Sequence, residues 1–260
     1  MIRIKLKIDS LILNEPIQIN IAVPQPINLM NTKFKNIWFL HCAFSDSDYF
    51  FERLNVLDFV DSGYAVICPS LSNSFFINSN KGDIANFLDY ELYPYLMELL
   101  PLSKHKDDNY CIGLSMGAFG ALNWATRCKN FFRAIFLISG VYDYRLGLDP
   151  RISTQRELKL IARTVLPYMK SALEDDHSFK ENADISKIIS LYEEKDIKDF
   201  PKVTFLCGDH DYLSLKQTYH FFELFKNKGF SVELCMLSGA HDSDTWRKGL
   251  SSILNRLSGE

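Results

Sequence analysis

Residues 113–117 read Gly-Leu-Ser-Met-Gly, a Gly-X-Ser-X-Gly pattern that lies between two different kinds of sequence. The apolar run NYCI before it is typical of a buried strand, whereas AFGALNWATRC after it has helical periodicity and more small residues. A sharp turn from strand to helix strains the serine backbone and brings the two elements together, so it requires small neighbours. The pattern predicts that Ser115 is a nucleophile at the start of a helix, where the helix dipole favours a developing anion. The alternative is an ordinary tight turn.

A serine nucleophile needs a general base and an acid that orients the base. In this arrangement they follow the serine in the order acid, then histidine. Asp209 and Asp211 follow the apolar run VTFLC, and His241 follows the run ELCML. Both loops leave the C-terminal ends of predicted strands, so they open on the same edge as Ser115. His241 is therefore the candidate base, with either aspartate as the acid. The other candidate histidines lie beside the acid, in an amphipathic helix or in charged loops: His210, His220, His105 and His177.

The elements that must position these residues alternate along the chain. In residues 2–8 and 17–23, apolar and polar side chains alternate, and a break at 14–16 separates the two runs. This pattern predicts an antiparallel hairpin of half-exposed edge strands. From residue 37 onward, short apolar runs alternate with amphipathic stretches, which indicates buried parallel strands connected by helices. The prediction is a mostly parallel sheet with helices on both faces. We expect one domain over residues 1–260, with a charged helical insertion at 142–200.

Composition narrows the class of partner. The chain has 260 residues, of which 47% are hydrophobic and 23% charged, and its net charge is −3 with the basic residues scattered. Nucleic acids and anionic membranes bind concentrated positive charge, so we expect neither, and a small molecule is the expected partner. A homo-oligomer is left open. No apolar run approaches 18 residues, and the N-terminus alternates charged and aliphatic residues instead of forming a signal peptide. These features predict a cytoplasmic protein.

Cofactor motifs are absent from the sequence. It contains no H-E-x-x-H, no P-loop and no G-x-G-x-x-G after a strand, so we expect neither a metal nor an organic cofactor. The cysteines never form C-x-x-C, and five of the six lie in apolar runs, which indicates core packing in a reducing compartment. They are Cys42, Cys68, Cys111, Cys128, Cys207 and Cys235.

Several separated segments resemble, in the same order, the esterase D and tributyrin esterase group of α/β-hydrolases. That group includes S-formylglutathione hydrolases and is related to the mycolyltransferases; the tributyrin esterase branch is the most similar. The segments are WFLHCAFSDSDYF, ICPSLSNSFF, ELYPYL, CIGLSMGAFGALNWA, LISGVYD, LCGDHDYL and GAHDSDTW. The resemblance implies the α/β-hydrolase fold. It places the acid at the fourth position of G-x-x-D, which is Asp211, and the base at the histidine of G-x-H-D, which is His241. Asp209 then becomes the structural alternative.

The resemblance also implies an oxyanion hole made of two backbone N–H groups. One belongs to Met116, after the serine, and the other to Ala43, in the segment Leu40-His41-Cys42-Ala43. The family has a glycine where this chain has Cys42. If that position requires positive φ, the loop is strained or reshaped, and Phe44 becomes the alternative donor. Cys42 itself is a second, weaker candidate nucleophile.

Together these features predict a serine carboxylesterase that hydrolyses short-chain acyl esters through an acyl-enzyme. Acetylated sugars and hydroxycinnamoyl esters are the substrates that the resemblance suggests. The alternatives are a thioesterase like S-formylglutathione hydrolase and a non-catalytic binding protein with this fold. We expect segment 142–200 to cap the pocket and restrict the acyl chain through its apolar residues, which are Leu158, Ile161, Val165, Leu166, Tyr168 and Met169. The alternative is that the segment packs on the flank of the sheet and does not reach the pocket.

Overall fold

The protein is built around an eight-stranded sheet, seen in a computed structural model that describes residues 1–25, 33–146, 163, 167–175 and 178–259. The sheet order is β1-β2-β4-β3-β5-β6-β7-β8. The strands are β1 (Ile2–Ser10), β2 (Glu15–Val23), β3 (Lys35–Leu40), β4 (Tyr64–Pro69), β5 (Asn109–Leu114), β6 (Ala134–Ile138), β7 (Lys202–Gly208) and β8 (Val232–Leu237). From β4 to β8 all neighbours are parallel, whereas β1 pairs antiparallel with β2 and β2 with β4.

This topology confirms the predicted mostly parallel sheet with an antiparallel hairpin, and it corrects three details. The hairpin turn lies at residues 11–14, because Glu15 and Pro16 already belong to β2. β2 is not an edge strand, since it lies between β1 and β4 and is largely buried. β8, predicted to be buried on both faces, is the opposite edge of the sheet and is half-exposed.

Helices cover both faces of the sheet because successive strand residues point in opposite directions. In β3, Trp38 and Leu40 pack into one core and Ile37 and Phe39 into the other. The first core includes residues of helical segment α3 (84–99, with a π-helical turn at Phe87–Leu92), α4 (Met116–Arg127) and α7 (Leu215–Lys228). The second includes residues of α1 (Ser47–Arg53), α2 (Leu57–Asp61) and α8 (Ser243–Ser258).

The described part of segment 142–200 is mainly helical. It contains helical residues 167–173, a short antiparallel pairing of Glu174–Asp175 with Ser178–Phe179, α5 (Ile185–Ser190) and α6 (Glu194–Asp199). Met169 is 1% exposed and packs in the first core, so its side chain supports the fold and does not line an open pocket. Five residues named above lie outside the described residues: Leu158, Ile161, Val165, Leu166 and His177.

No helix in the described ranges is both long and apolar enough to cross a membrane. All six cysteines are free thiols. Four of them, Cys42, Cys68, Cys111 and Cys207, are buried, and the other two are half-buried.

Candidate active site

Ser115 lies at the sharp turn between β5 and α4, with φ 53° and ψ −109°. A non-glycine residue in such a conformation is strained and persists only where its surroundings hold it. The surroundings explain the two flanking glycines. A Cβ at Gly113 would collide with the backbone of Gly117, and a Cβ at Gly117 would collide with the Leu40 carbonyl of β3. Small residues are required here because helix, turn and strand touch through their backbones.

The structure brings three of the predicted side chains together. The Nε2 atom of His241 lies 3.1 Å from the Oγ atom of Ser115. The Nδ1 atom of the same imidazole lies 2.9 Å and 3.1 Å from the two carboxylate oxygens of Asp211. Asp211 follows β7 and His241 follows β8, so the two loops meet at the C-terminal edge of the sheet, where Ser115 also lies. This geometry suits proton transfer from the serine to the imidazole.

The Asp211 side chain is completely buried, whereas the His241 side chain is 24% exposed. Burial alone would raise the pKa of the Asp211 carboxyl. The charge and hydrogen bond of His241, with support from the Ser139 side chain and the Ser214 backbone, outweigh burial and hold this pKa below its usual value. A carboxylate that stays ionised next to the imidazole can orient it and stabilise its protonated form.

Ser214 belongs to the site, although the sequence did not single it out. Its N–H donates to Asp211 Oδ1 at 3.0 Å, and its hydroxyl donates to the Ser139 carbonyl at 2.7 Å. That leaves Ser214 Oγ as a second acceptor, 3.2 Å from His241 Nδ1. Ser214 is the residue before α7, where serine ordinarily caps the helix, but its hydroxyl makes no capping bond. A serine at a helix start shortly after the acid was the available signal.

Asp209 does not reach the imidazole of His241 and instead connects the acid loop to the histidine loop. Its Oδ1 atom accepts the Gly239 N–H at 2.9 Å and lies 2.7 Å from Nδ1 of His210. The Gly239 hydrogen bond, followed by that of His210, lowers the pKa of the Asp209 carboxyl. His210 is thereby engaged with Asp209. His105 and His220 are exposed, and within the described residues neither is hydrogen-bonded to Ser115.

The backbone N–H groups of Met116 and Ala43, the predicted oxyanion donors, make no hydrogen bond within the described part of the chain. Met116 is the first residue of α4. Phe44, the alternative donor, is already engaged, because its N–H donates to Asn73 Oδ1 at 2.7 Å. Cys42 does not have positive φ; the left-handed residue in this loop is Phe44, with φ 61°. The strain that was expected at Cys42, the position of the family glycine, is therefore found at Phe44.

Cys42 is chemically unsuited to be the nucleophile. Burial, opposed in part by a hydrogen bond from Ser45, raises the pKa of the Cys42 thiol to about 11. The thiol is therefore protonated near neutral pH, and the thiolate is the reactive form of cysteine.

A groove of about 330 Å³ lies beside residues 42–44, the predicted oxyanion loop. Asn73, which holds Phe44, lines this groove together with Tyr168 from the helical residues 167–173. The Tyr168 ring also meets the Phe44 ring edge to face, with centroids 5.0 Å apart. Segment 142–200 therefore reaches the oxyanion loop at this point. Polar and apolar side chains both line the groove: Glu15, Leu71, Ser72, Asn73, Ser74, Lys81, Ile84 and Tyr168.

In the described ranges, no group of three or more His, Cys, Asp or Glu side chains is arranged to hold a metal ion.

Comparison with known proteins identifies relatives of this chain. Residues 77–257 match the family described as Putative esterase. An acetyl esterase of Caldicellulosiruptor saccharolyticus is 27% identical over 199 residues, which cover 75% of this chain and 71% of that protein. A fluorophosphonate-binding serine hydrolase of Staphylococcus aureus superposes with a TM-score of 0.83 at 20% identity, covering 100% of this chain and 99% of the other. The S-formylglutathione hydrolase of the same organism superposes with a TM-score of 0.78 at 20% identity, covering 99% of this chain and 98% of the other. These likenesses confirm the predicted α/β-hydrolase fold.

Proposed function

Because this chain belongs to the esterase family that it matches over residues 77–257, it is a hydrolase, and we propose that it is a serine carboxylesterase for short-chain acyl esters. The observation that carries the proposal is the continuous contact from Ser115 Oγ to His241 Nε2 at 3.1 Å and from His241 Nδ1 to Asp211 at 2.9 Å. A nucleophile in contact with a base that is itself oriented by a carboxylate is the arrangement that acyl transfer requires.

In the proposed acylation step, Ser115 Oγ attacks the ester carbonyl carbon while His241 Nε2 takes the hydroxyl proton. The π electrons of the C=O bond move onto the carbonyl oxygen, and the Met116 and Ala43 N–H groups stabilise its negative charge. The tetrahedral intermediate then collapses. The bond from carbon to the leaving oxygen breaks, His241 returns its proton to that oxygen, and the alcohol departs, which leaves an acyl group on Ser115.

Deacylation repeats the same steps with water as the nucleophile. His241 takes a proton from water, the resulting hydroxide attacks the acyl carbon, and the same two N–H groups stabilise the oxyanion. Collapse breaks the bond to Ser115 Oγ, which regains its proton from His241, and the carboxylic acid is released. Asp211 holds the imidazole in the required tautomer throughout and does not itself change protonation.

We propose that the groove beside the oxyanion loop takes the alcohol part of the substrate. Its walls offer hydroxyl, amide and aromatic groups with one lysine and one glutamate, which suits a neutral alcohol rich in hydroxyl groups. This composition favours a sugar as the alcohol part of the ester. The resemblance to an acetyl esterase supports the short acyl group. Segment 142–200 caps the site in this proposal, with Tyr168 as the wall of the groove.

A series of p-nitrophenyl esters from acetate to octanoate tests the acyl preference, and kcat/KM is expected to fall beyond butyrate. Fluorophosphonate labelling tests the nucleophile. A folded protein that is neither labelled nor active on any ester would be a non-catalytic binding protein. Faster turnover of S-formylglutathione than of any oxygen ester would replace the carboxylesterase proposal by the thioesterase one.

Comparison of an acetylated monosaccharide with octyl acetate tests the groove. The wild type is expected to prefer the sugar ester. Tyr168→Ala should raise KM for the sugar ester several-fold and leave KM for p-nitrophenyl acetate nearly unchanged. Equal effects on the two substrates would remove Tyr168 from the alcohol site.

We also propose that the protein acts in the cytoplasm, a location supported by its six free cysteines, since cytosolic thiols are kept reduced. Fractionation of the source cells with an antibody against the chain tests this location.

A further inference from the structure

The loop at residues 42–44 is held from both ends by side chains outside it. At one end, Asn73, in the segment that follows β4, accepts the Phe44 N–H through Oδ1 at 2.7 Å. Phe44 has φ 61°, a conformation that a bulky residue rarely adopts, and the residue is 58% exposed, with its ring in edge-to-face contact with Tyr168. The ring contact does not fix the backbone of the strained residue, whereas the hydrogen bond from its N–H to Asn73 does.

At the other end, His41 holds the Cys42 carbonyl. The His41 ring is fully buried, and burial lowers the pKa of its imidazole, so the ring is neutral. Its Nε2 atom lies 3.0 Å from the Leu71 N–H, which can only donate, so Nε2 must accept. Nδ1 therefore carries the proton and donates to the Cys42 carbonyl at 2.8 Å. One backbone donor thus determines the tautomer of His41 and the direction of its second hydrogen bond.

The carbonyl of Cys42 and the N–H of Ala43 belong to the same planar peptide unit, so a hydrogen bond that fixes the first also fixes the direction of the second. The next N–H along the chain is occupied by Asn73. Between these two hydrogen bonds, the Ala43 N–H is left without an acceptor among the described residues.

We propose that Asn73 is a positioning residue, which together with His41 holds the Ala43 N–H in the direction of the oxyanion. The proposal rests on the proposed esterase function. Asn73 lies 30 residues from Ala43 in the sequence and outside the part of the chain that matches the family, residues 77–257. Its role is to keep Phe44 in the left-handed conformation, so that the loop cannot turn its central N–H away from the reacting carbon.

Asn73→Ala should lower kcat by about 10- to 100-fold with little change in KM, because loss of one oxyanion donor costs about 10²- to 10³-fold and here the donor is displaced, not removed. The decisive measurement is the deacylation rate constant of the acetyl-enzyme, obtained from burst kinetics with p-nitrophenyl acetate. The alcohol has already left in this step, whereas the oxyanion must form again. A lower deacylation rate constant in Asn73→Ala therefore indicates a damaged oxyanion hole. If Asn73 contacted only the alcohol in the groove, its replacement would leave the deacylation rate constant unchanged.

Asn78→Ala is the matched control. Asn78 Oδ1 accepts the Asn86 N–H at 3.1 Å, so the substitution removes the same kind of hydrogen bond from a nearby loop that does not touch residues 42–44. Deacylation by this variant should match that of the wild type. Asn73→Asp keeps an acceptor oxygen in place and should recover part of the rate lost in Asn73→Ala.

The outcomes separate the two proposals. If the wild type forms no acyl-enzyme, the proposed function fails and no burst is seen in any variant. If the wild type deacylates normally and Asn73→Ala deacylates as fast as Asn78→Ala, the esterase stands and the positioning role is wrong. Equal deacylation by Asn73→Asp and Asn73→Ala would also overturn the role of the Oδ1 atom. Melting temperatures of both alanine variants verify that each remains folded.

Discussion

The nucleophile side and the acid–base side of the site are held by different means. On the nucleophile side, Ser115 is 7% exposed, and the glycines around it leave no room for a Cβ against the backbone of β3. On the acid–base side, His241 is 24% exposed, and the loops after β7 and β8 are connected by side-chain hydrogen bonds from Asp209, Asp211 and Ser214. The first group is held by close backbone contacts at Gly113 and Gly117, whereas the second adds side-chain hydrogen bonds between its two loops to the backbone contact of Gly208 with Gly239.

This difference predicts different responses to substitution. A close-packed turn has no alternative arrangement, so an added methyl group must displace the backbone. A loop held by several hydrogen bonds can lose one and retain the others. The loss of activity should therefore differ between substitutions, and it should be largest where the removed atom contacts the imidazole. The following substitutions test the contrast, beginning with the largest expected effect.

Ser115→Ala should lower kcat by about 10⁴-fold or more and leave the fold intact, because the members of a catalytic triad act as a unit. The measurement is kcat with p-nitrophenyl acetate, with a thermal melt to verify folding. Retention of more than a tenth of the activity by a pure variant would contradict the assignment of the nucleophile.

Asp211→Asn should lower kcat by about 10³- to 10⁴-fold, because an amide cannot hold the imidazole in the required tautomer. Asp209→Asn is the matched control within the same loop. Its Oδ1 can still accept the Gly239 N–H, so we expect a loss of less than about 10-fold, as for one neutral hydrogen bond. Equal losses in the two variants, measured side by side, would mean that the acid has been assigned to the wrong aspartate.

Gly117→Ala should lower both stability and activity. The added Cβ meets the backbone oxygens of Leu40 and His41, so we expect about 1–3 kcal/mol lower free energy of unfolding and about 10²-fold lower kcat. Gly249→Ala, within helix α8, is the control, because its added Cβ meets the terminal methyl groups of Ile138 and Leu237, which can shift. Denaturant titrations compare the two variants, and a Gly117→Ala variant as stable as the Gly249→Ala variant would contradict steric control of the turn.

Ser214→Ala should have the smallest effect, about 2- to 10-fold in kcat/KM. It removes one of the acceptors around His241 Nδ1 but leaves both oxygens of Asp211 in contact. Ser190→Ala is the control, since its hydroxyl also donates to a carbonyl, that of Lys187, but on the distant α5. A loss above about 100-fold in Ser214→Ala would place this hydroxyl on a level with Asp211.

Much of the fold was predictable because each element has a local signature. The runs at residues 134–138 and 232–237 match β6 and β8 residue for residue, although only β6 is buried over its whole length, as an apolar run predicts. Edge positions were less predictable. Whether a strand is at the edge depends on its neighbours in the sheet, so the exposure of β8 and the burial of β2 followed only from the strand order.

The sequence by itself determined the candidate nucleophile, because the turn at Ser115 is specified by five consecutive residues whose sizes have to fit. It also limited the acid and the base to two loops, because parallel strands end on one edge of the sheet. It could not choose between Asp209 and Asp211, and only the resemblance to a family did so. The tertiary structure decided what Ser214 and Asn73 do. Their hydrogen bonds join residues 27 and 29 positions apart, and such pairs depend on how separate loops meet, which no local pattern specifies.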